Sequence, residues 1–192
     1  MKPTLRIALL IARARRPVRR LLRDKRGVSA VEFAMLLPLM ITLYLGGVEV
    51  SQAVSIDRKV TLVARSLGDL IAQATTVSNA DMTNILSAAT SVVAPFTDTK
   101  LKITVSRVDI DANGVAKVVW SDTKNGTARA VGSTVTLPAA LLPAAGQTAS
   151  YIWAETQYAY TPTVGYVVTG TMTLKDQIYM RPRLSDTVAR TA

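Results

Sequence analysis

The sequence predicts an α+β protein: a long N-terminal transmembrane helix running into a head with a second helix and a roughly four-stranded antiparallel sheet. Three observations carry this prediction. Val28 to Val48 form an apolar run interrupted by one charge, Glu32. Helical periodicity then continues to about Ala74, and after Pro95 the pattern changes to alternation with turn signals.

The apolar run sets the anchor. At 1.5 Å rise per residue it spans roughly 31 Å, close to the hydrocarbon thickness of a bilayer. A secretory signal peptide would have a shorter apolar core ending in a small-residue cleavage site, and Gly46-Gly47-Val48-Glu49 is not such a site. Pro38 is expected to kink the helix or leave one carbonyl unpaired, which membrane helices accommodate. Gly46-Gly47 marks a flexible point at the outer interface, too closely spaced for a GxxxG contact.

Charge orients the anchor. The net charge is +10, but residues 1–27 hold ten Lys/Arg against Asp24 alone, leaving the remainder at +1. The excess is therefore a property of the leader. Nucleic-acid binding by a folded basic surface is not expected. The leader reads either as a basic amphipathic helix on anionic lipid or as a positive-inside topogenic segment, and both place it in the cytoplasm. Cysteine and histidine are absent, which excludes disulfides, Cys/His zinc sites and histidine-based general-base catalysis.

Beyond the membrane, Val50, Val54, Thr61, Ala64, Leu67, Ile71 and Ala74 recur at helical spacing, a stripe for packing on the protein's own head or on other subunits. Ser78-Asn79-Ala80-Asp81 opens a second helix with N-cap chemistry, and Val77 and Met82 have staple spacing. Its face is Met82, Ile85, Leu86, Ala89, Val92 and Val93, and Pro95 ends it. Leu101-Ile103-Val105 alternates, then Val108-Ile110 alternates in opposite phase, predicting a bulge near Ser106-Arg107. Asp111-Ala112-Asn113-Gly114 predicts a hairpin turn, with Val115–Ser121 returning. Tyr151–Thr161 and Thr169–Met180 supply two more strands, Leu137–Gly146 a surface connection, and Leu184–Ala192 a frayed tail.

The head contains no motif that calls for a cofactor or a catalytic role. Asp109 and Asp111 are either half of a calcium site or simple turn chemistry, and the later ligands of an EF-hand loop are missing. No Walker loop, nucleophile elbow or dinucleotide fingerprint is present. Trp120, Trp153, Tyr158 and Tyr160 are expected to line one sheet face, as packing or as a glycan platform.

Glu32 has two readings from position alone. It lies near the cytoplasmic interface and reaches water, or it lies in the apolar layer and needs a partner, because an intramembrane carboxylate is costly.

Gly27-Val28-Ser29-Ala30-Val31-Glu32-Phe33, with Ala34 and Pro38, resembles the processing motif of type IV pilins and pseudopilins. It is most similar to the tight-adherence (Tad, or Flp) branch and its TadE-like minor pseudopilins. The resemblance implies a pilin-like head and a prepilin peptidase cut between Gly27 and Val28 on the cytoplasmic face. Glu32 becomes the fifth mature residue, pairing with a neighbouring subunit's new amino terminus, a buried carboxylate with a cation as partner. Phe33 stands where the Tad branch has an aromatic residue. Val28 departs from pilins that place an aromatic directly after the glycine, which favours the Tad branch.

The expected organisation is a leader (1–27), a transmembrane helix (28–48), its extracytoplasmic extension (49–76), an α+β head (77–183) and a tail (184–192). The implied protein is a non-enzymatic component of Tad pilus assembly in a bacterial inner membrane, N-terminus cytoplasmic and head periplasmic. Its partners are the bilayer, the prepilin peptidase, other Tad pilins or pseudopilins and inner-membrane assembly proteins. The alternative is an unprocessed single-pass envelope protein with a periplasmic binding head.

Overall fold

A computed structural model describes residues 26–162, 165 and 169–191. The leader expected over residues 1–27 falls almost wholly outside them. Contacts divide the chain between Gly47 and Val48, and the two parts are described in turn.

Helix α1 runs from Arg26 to Ala72 without interruption at Pro38. In its first part the large apolar side chains from Val28 to Tyr44 are exposed, among them Leu36, Met40 and Leu43. A helix apolar on every side and covered on none is unsuited to water and suited to lipid. Pro38 cannot donate a backbone hydrogen bond to Ala34, and the Thr42 hydroxyl donates back to the Pro38 carbonyl at 2.8 Å.

In the second part, α1 buries Ile56, Val60, Val63, Leu67 and Ile71. This stripe differs from the expected one at its start. Val50 and Val54 are 52% and 45% exposed, and the buried position is Glu49, at 2%. The apolar valines set the wrong phase because the true stripe passes through a carboxylate.

After α1 come β1 (Thr76–Val77), α2 (Asn79–Ser91), β2 (Leu101–Ile110), β3 (Ala116–Lys124), β4 (Thr134–Val135), β5 (Ala149–Tyr160), β6 (Met172–Met180) and β7 (Ala189–Arg190). The α+β class is as expected; the main sheet has five strands rather than four, in the order β4-β3-β2-β5-β6. The additional strand is the two-residue β4, too short to show in sequence periodicity, pairing Thr134 and Val135 with Lys117 and Ala116.

Helix α2 opens as predicted. The Ser78 hydroxyl accepts from the Asp81 backbone N–H and the Asp81 carboxylate accepts from the Ser78 N–H, a complete capping box. The turn that follows it is held from α1: Lys59 Nζ donates to the carbonyl oxygens of the C-cap Val92 and of Ala94 at 3.1 and 2.6 Å.

The phase change in β2 has a definite cause. Leu101, Ile103 and Val105 join α1 and α2 in one core cluster, whereas Val108 and Ile110 join Val118, Leu137, Tyr151 and Trp153 in a second. Register between β2 and β5 is continuous, but between β2 and β3 it breaks at Arg107/Val108, with Val108 opposite Val118 and Arg107 opposite Trp120. The extra residue is therefore Val119 of β3, and it sends Val118 and Trp120 to opposite faces. The irregularity sits where the sequence placed it, but on the partner strand. The four aromatics consequently do not share a face: Trp120, Tyr158 and Tyr160 enter the helix-covered cluster and Trp153 the other.

Residues 184–192, expected as a frayed tail, are stitched into the head up to Thr191. β7 pairs in parallel with β1, and Val188 is completely buried. The short segment has little periodicity, so its anchoring depends on distant partners that no local pattern reveals.

Candidate functional site

The candidate positions lie at the start of α1 and belong to its membrane-length part. Gly27, Val28, Glu32 and Phe33 are all exposed, with Val28 and Phe33 at 55% and 56%. Val28 and Glu32 stand four residues apart, on one helix face and about 6 Å along the axis. A chain beginning at Val28 would place its amine one turn from the Glu32 carboxylate, within the N-terminal turns where a negative charge is favoured. Phe33 lies about 100° around the helix from Glu32 and is exposed, with its ring uncovered by the described residues. Among the described residues Glu32 makes no salt bridge.

A Cβ added at Gly27 would meet nothing within 4 Å. Among the described residues, no packing contact accounts for glycine at this position, although glycine inside a helix costs about 1 kcal/mol relative to alanine.

Sequence reasoning missed Glu49. Its Oε1 accepts from the Gly165 backbone N–H at 2.6 Å, and the Tyr160 hydroxyl donates to its backbone carbonyl at 3.1 Å. Burial, then the Glu49 carboxylate, pushes the Tyr160 hydroxyl above the ordinary tyrosine range. The available signal was the spacing 49, 53, 56, 60, 63, 67, 71, which is more regular than the valine stripe.

Asp109 and Asp111 are spoken for by the head itself. Asp111 Oδ1 accepts from the backbone N–H groups of Asn113 and Val115, both at 2.9 Å, and Gly114 takes φ +78° to close the turn. Asp109 accepts from Arg107 and from the Ser150 hydroxyl. Turn and strand chemistry thus accounts for both carboxylates.

Taken together, the exposed apolar helix and the sheet-bearing head define a helix-anchored α+β protein; among the described residues one segment, Gly27–Ala72, is long and apolar enough to cross a membrane. Residues 27–67 match the family of TadE-like proteins, so this helix is TadE-like, as the motif around Gly27 led us to expect. The match starts at Gly27 and ends inside α1, before the first strand, so it speaks for the helix and not for the sheet. Neither the curated proteins nor the solved structures offer a match to this chain.

Proposed function

We propose that this protein is a membrane-anchored, minor pseudopilin-like component of Tad/Flp pilus assembly, cut by a prepilin peptidase between Gly27 and Val28. The TadE-like match and the apolar helix support a Tad-pilus-related membrane component with a single-pass anchor. TadE-like pilus proteins form a structural, non-enzymatic family.

The observation that carries the finer reading is the coincidence at Gly27. The family match begins there, and among the described residues no packing contact needs a glycine there. A peptidase subsite that excludes a side chain supplies the missing reason.

In this reading the leader holds the precursor with its N-terminus in the cytoplasm of a bacterial inner membrane and the head in the periplasm. Cleavage exposes an amine at Val28, and Glu32 offers that amine, or a neighbour's, an opposite charge in low dielectric. The helix then packs beside other pilins or pseudopilins and inner-membrane assembly proteins, with Phe33 among its contact residues.

The test is Glu32→Ala in a piliated cell. The variant should still insert in the membrane, since it removes a charge from an apolar segment, and piliation should be lost. Unchanged pilus number would remove Glu32 from assembly.

A further inference from the structure

The sheet face turned away from the helices changes character along its length. At one end it carries the second apolar cluster, with Val108, Val118 and Trp153 covered by Leu137 and its neighbours. At the other end the same face forms an open polar groove of about 750 Å³.

Strand register fixes what stands in this groove. Lys102 is paired with Gln157, and Gln157 with Lys175. Two ammonium groups therefore flank one carboxamide in a row across three strands, their Cα atoms about 10 Å apart at ordinary strand spacing. The next row is Thr104, Glu155 and Gln177.

Glu155 is already neutralised: Arg129 Nε donates to its Oε2 at 3.0 Å and Nη2 to its Oε1 at 2.7 Å. The same guanidinium lies over the Trp153 ring, 3.8 Å from its centroid, which fixes it at the groove wall. Asp176 borders the groove but alternates toward the helix-covered face, where its neighbour across the ladder is the buried Thr156. Lys102 and Lys175 are exposed and have no carboxylate partner among the described residues.

Among the described residues, no aliphatic or aromatic side chain lines the groove. A protein partner is ordinarily held by a buried aromatic or apolar anchor at the centre of its contact. This groove offers ammonium, carboxamide and hydroxyl groups instead, suited to a ligand that is anionic and rich in hydroxyls. We infer that it binds an acidic polysaccharide, a chain of sugar acids whose carboxylates meet Lys102 and Lys175 and whose hydroxyls meet Gln157 and Gln177.

The experiment uses the full chain in a non-ionic detergent, titrated calorimetrically with three probes at low salt. They are an oligogalacturonate, a neutral oligosaccharide of equal length and a glutamate peptide of equal charge. The ten Lys/Arg of the leader attract polyanions too, so the quantity read is the difference between the wild type and Lys102→Gln/Lys175→Gln, which share that leader. Both lysines are exposed, so the double variant keeps the core intact.

The inference requires oligogalacturonate to bind the variant at least tenfold more weakly than the wild type, with the neutral sugar and the peptide showing no such difference. Equal oligogalacturonate affinity for the two proteins overturns it. So does a matching loss for the glutamate peptide, which would make the groove a peptide or charge-only surface, or a matching loss for the neutral sugar.

Discussion

The indole of Trp120 donates its Nε1 hydrogen to the carbonyl oxygen of Val188 at 2.9 Å, joining β3 to a residue 68 positions later in the chain. Arg107 donates to the same oxygen at 3.4 Å, and the Val188 side chain is completely buried. The last residues are thus part of the core. Val188→Ala should lower the unfolding free energy of the detergent-solubilised protein by about 2 kcal/mol, from lost methyl burial and the cavity left behind. Chemical denaturation followed by tryptophan fluorescence measures this, and wild-type stability would return residues 184–191 to the status of a tail.

Arg190 holds the neighbouring strand from several sides. Its guanidinium donates to both Asp122 oxygens, to Asn79 Oδ1 and to the Val77 carbonyl. The hydrogen bond to Asp122, followed by that carboxylate's charge, keeps the guanidinium protonated beyond its ordinary range against the opposing effect of burial. Arg190→Lys retains the charge but cannot reproduce the fork. It should cost about 1–2 kcal/mol in the same denaturation assay, with Arg190→Ala costing more. A lysine variant as stable as the wild type would show that charge alone is sufficient.

Gly68 of α1 sits close against β6. A Cβ there would stand 3.3 Å from Ile178 Cγ2 and 3.3 Å from Met180 Sδ. Gly68→Leu should overfill this contact and cost roughly 1–3 kcal/mol or more, despite the better helix propensity of leucine. A stabilised Gly68→Leu protein would mean that the helix and the strand are not in contact at this position.

The head should weaken at alkaline pH. Burial raises the hydroxyl pKa values of Tyr158, Tyr160 and Tyr179 above the ordinary 10.0; Glu49 adds to the effect at Tyr160 and Glu155 at Tyr179, where Arg129 opposes it. A group whose folded-state pKa lies above its unfolded value contributes stability that is fully present below the unfolded pKa and lost as pH rises through the folded one. Stability should therefore be flat below about pH 10 with respect to these groups and fall above it. Tyrosinate absorbance and denaturation midpoints between pH 8 and 12 test this together, and titration of Tyr158, Tyr160 and Tyr179 at or below pH 10 in the folded protein would contradict it.

Much of the fold was legible in the sequence because its signals are local. The membrane segment is a matter of length and hydropathy, the start of α2 lies in Ser78 and Asp81, and the hairpin lies in Asp111 to Gly114. The failures are positions governed by distant partners. Glu49 is buried where valine would be expected, Val119 shifts the phase of β3 relative to β2, and Val188 is held by Trp120. The groove at Lys102, Gln157 and Lys175 was invisible for the same reason, since only strand register brings those three residues into a row. At the candidate processing site the residues themselves, Gly27 and Glu32, carry the motif, and the structure adds that a Cβ at Gly27 would meet none of the described residues.

The proposed role in pilus assembly turns on the bond between Gly27 and Val28. Intact-mass and N-terminal peptide mass spectrometry of the protein extracted from membranes of a pilus-producing cell addresses it directly. A pseudopilin processed at this bond yields a mature chain that begins at Val28 and lacks residues 1–27. A protein that retains its leader while pili are being made would contradict it, and would leave an unprocessed single-pass envelope protein with a binding head.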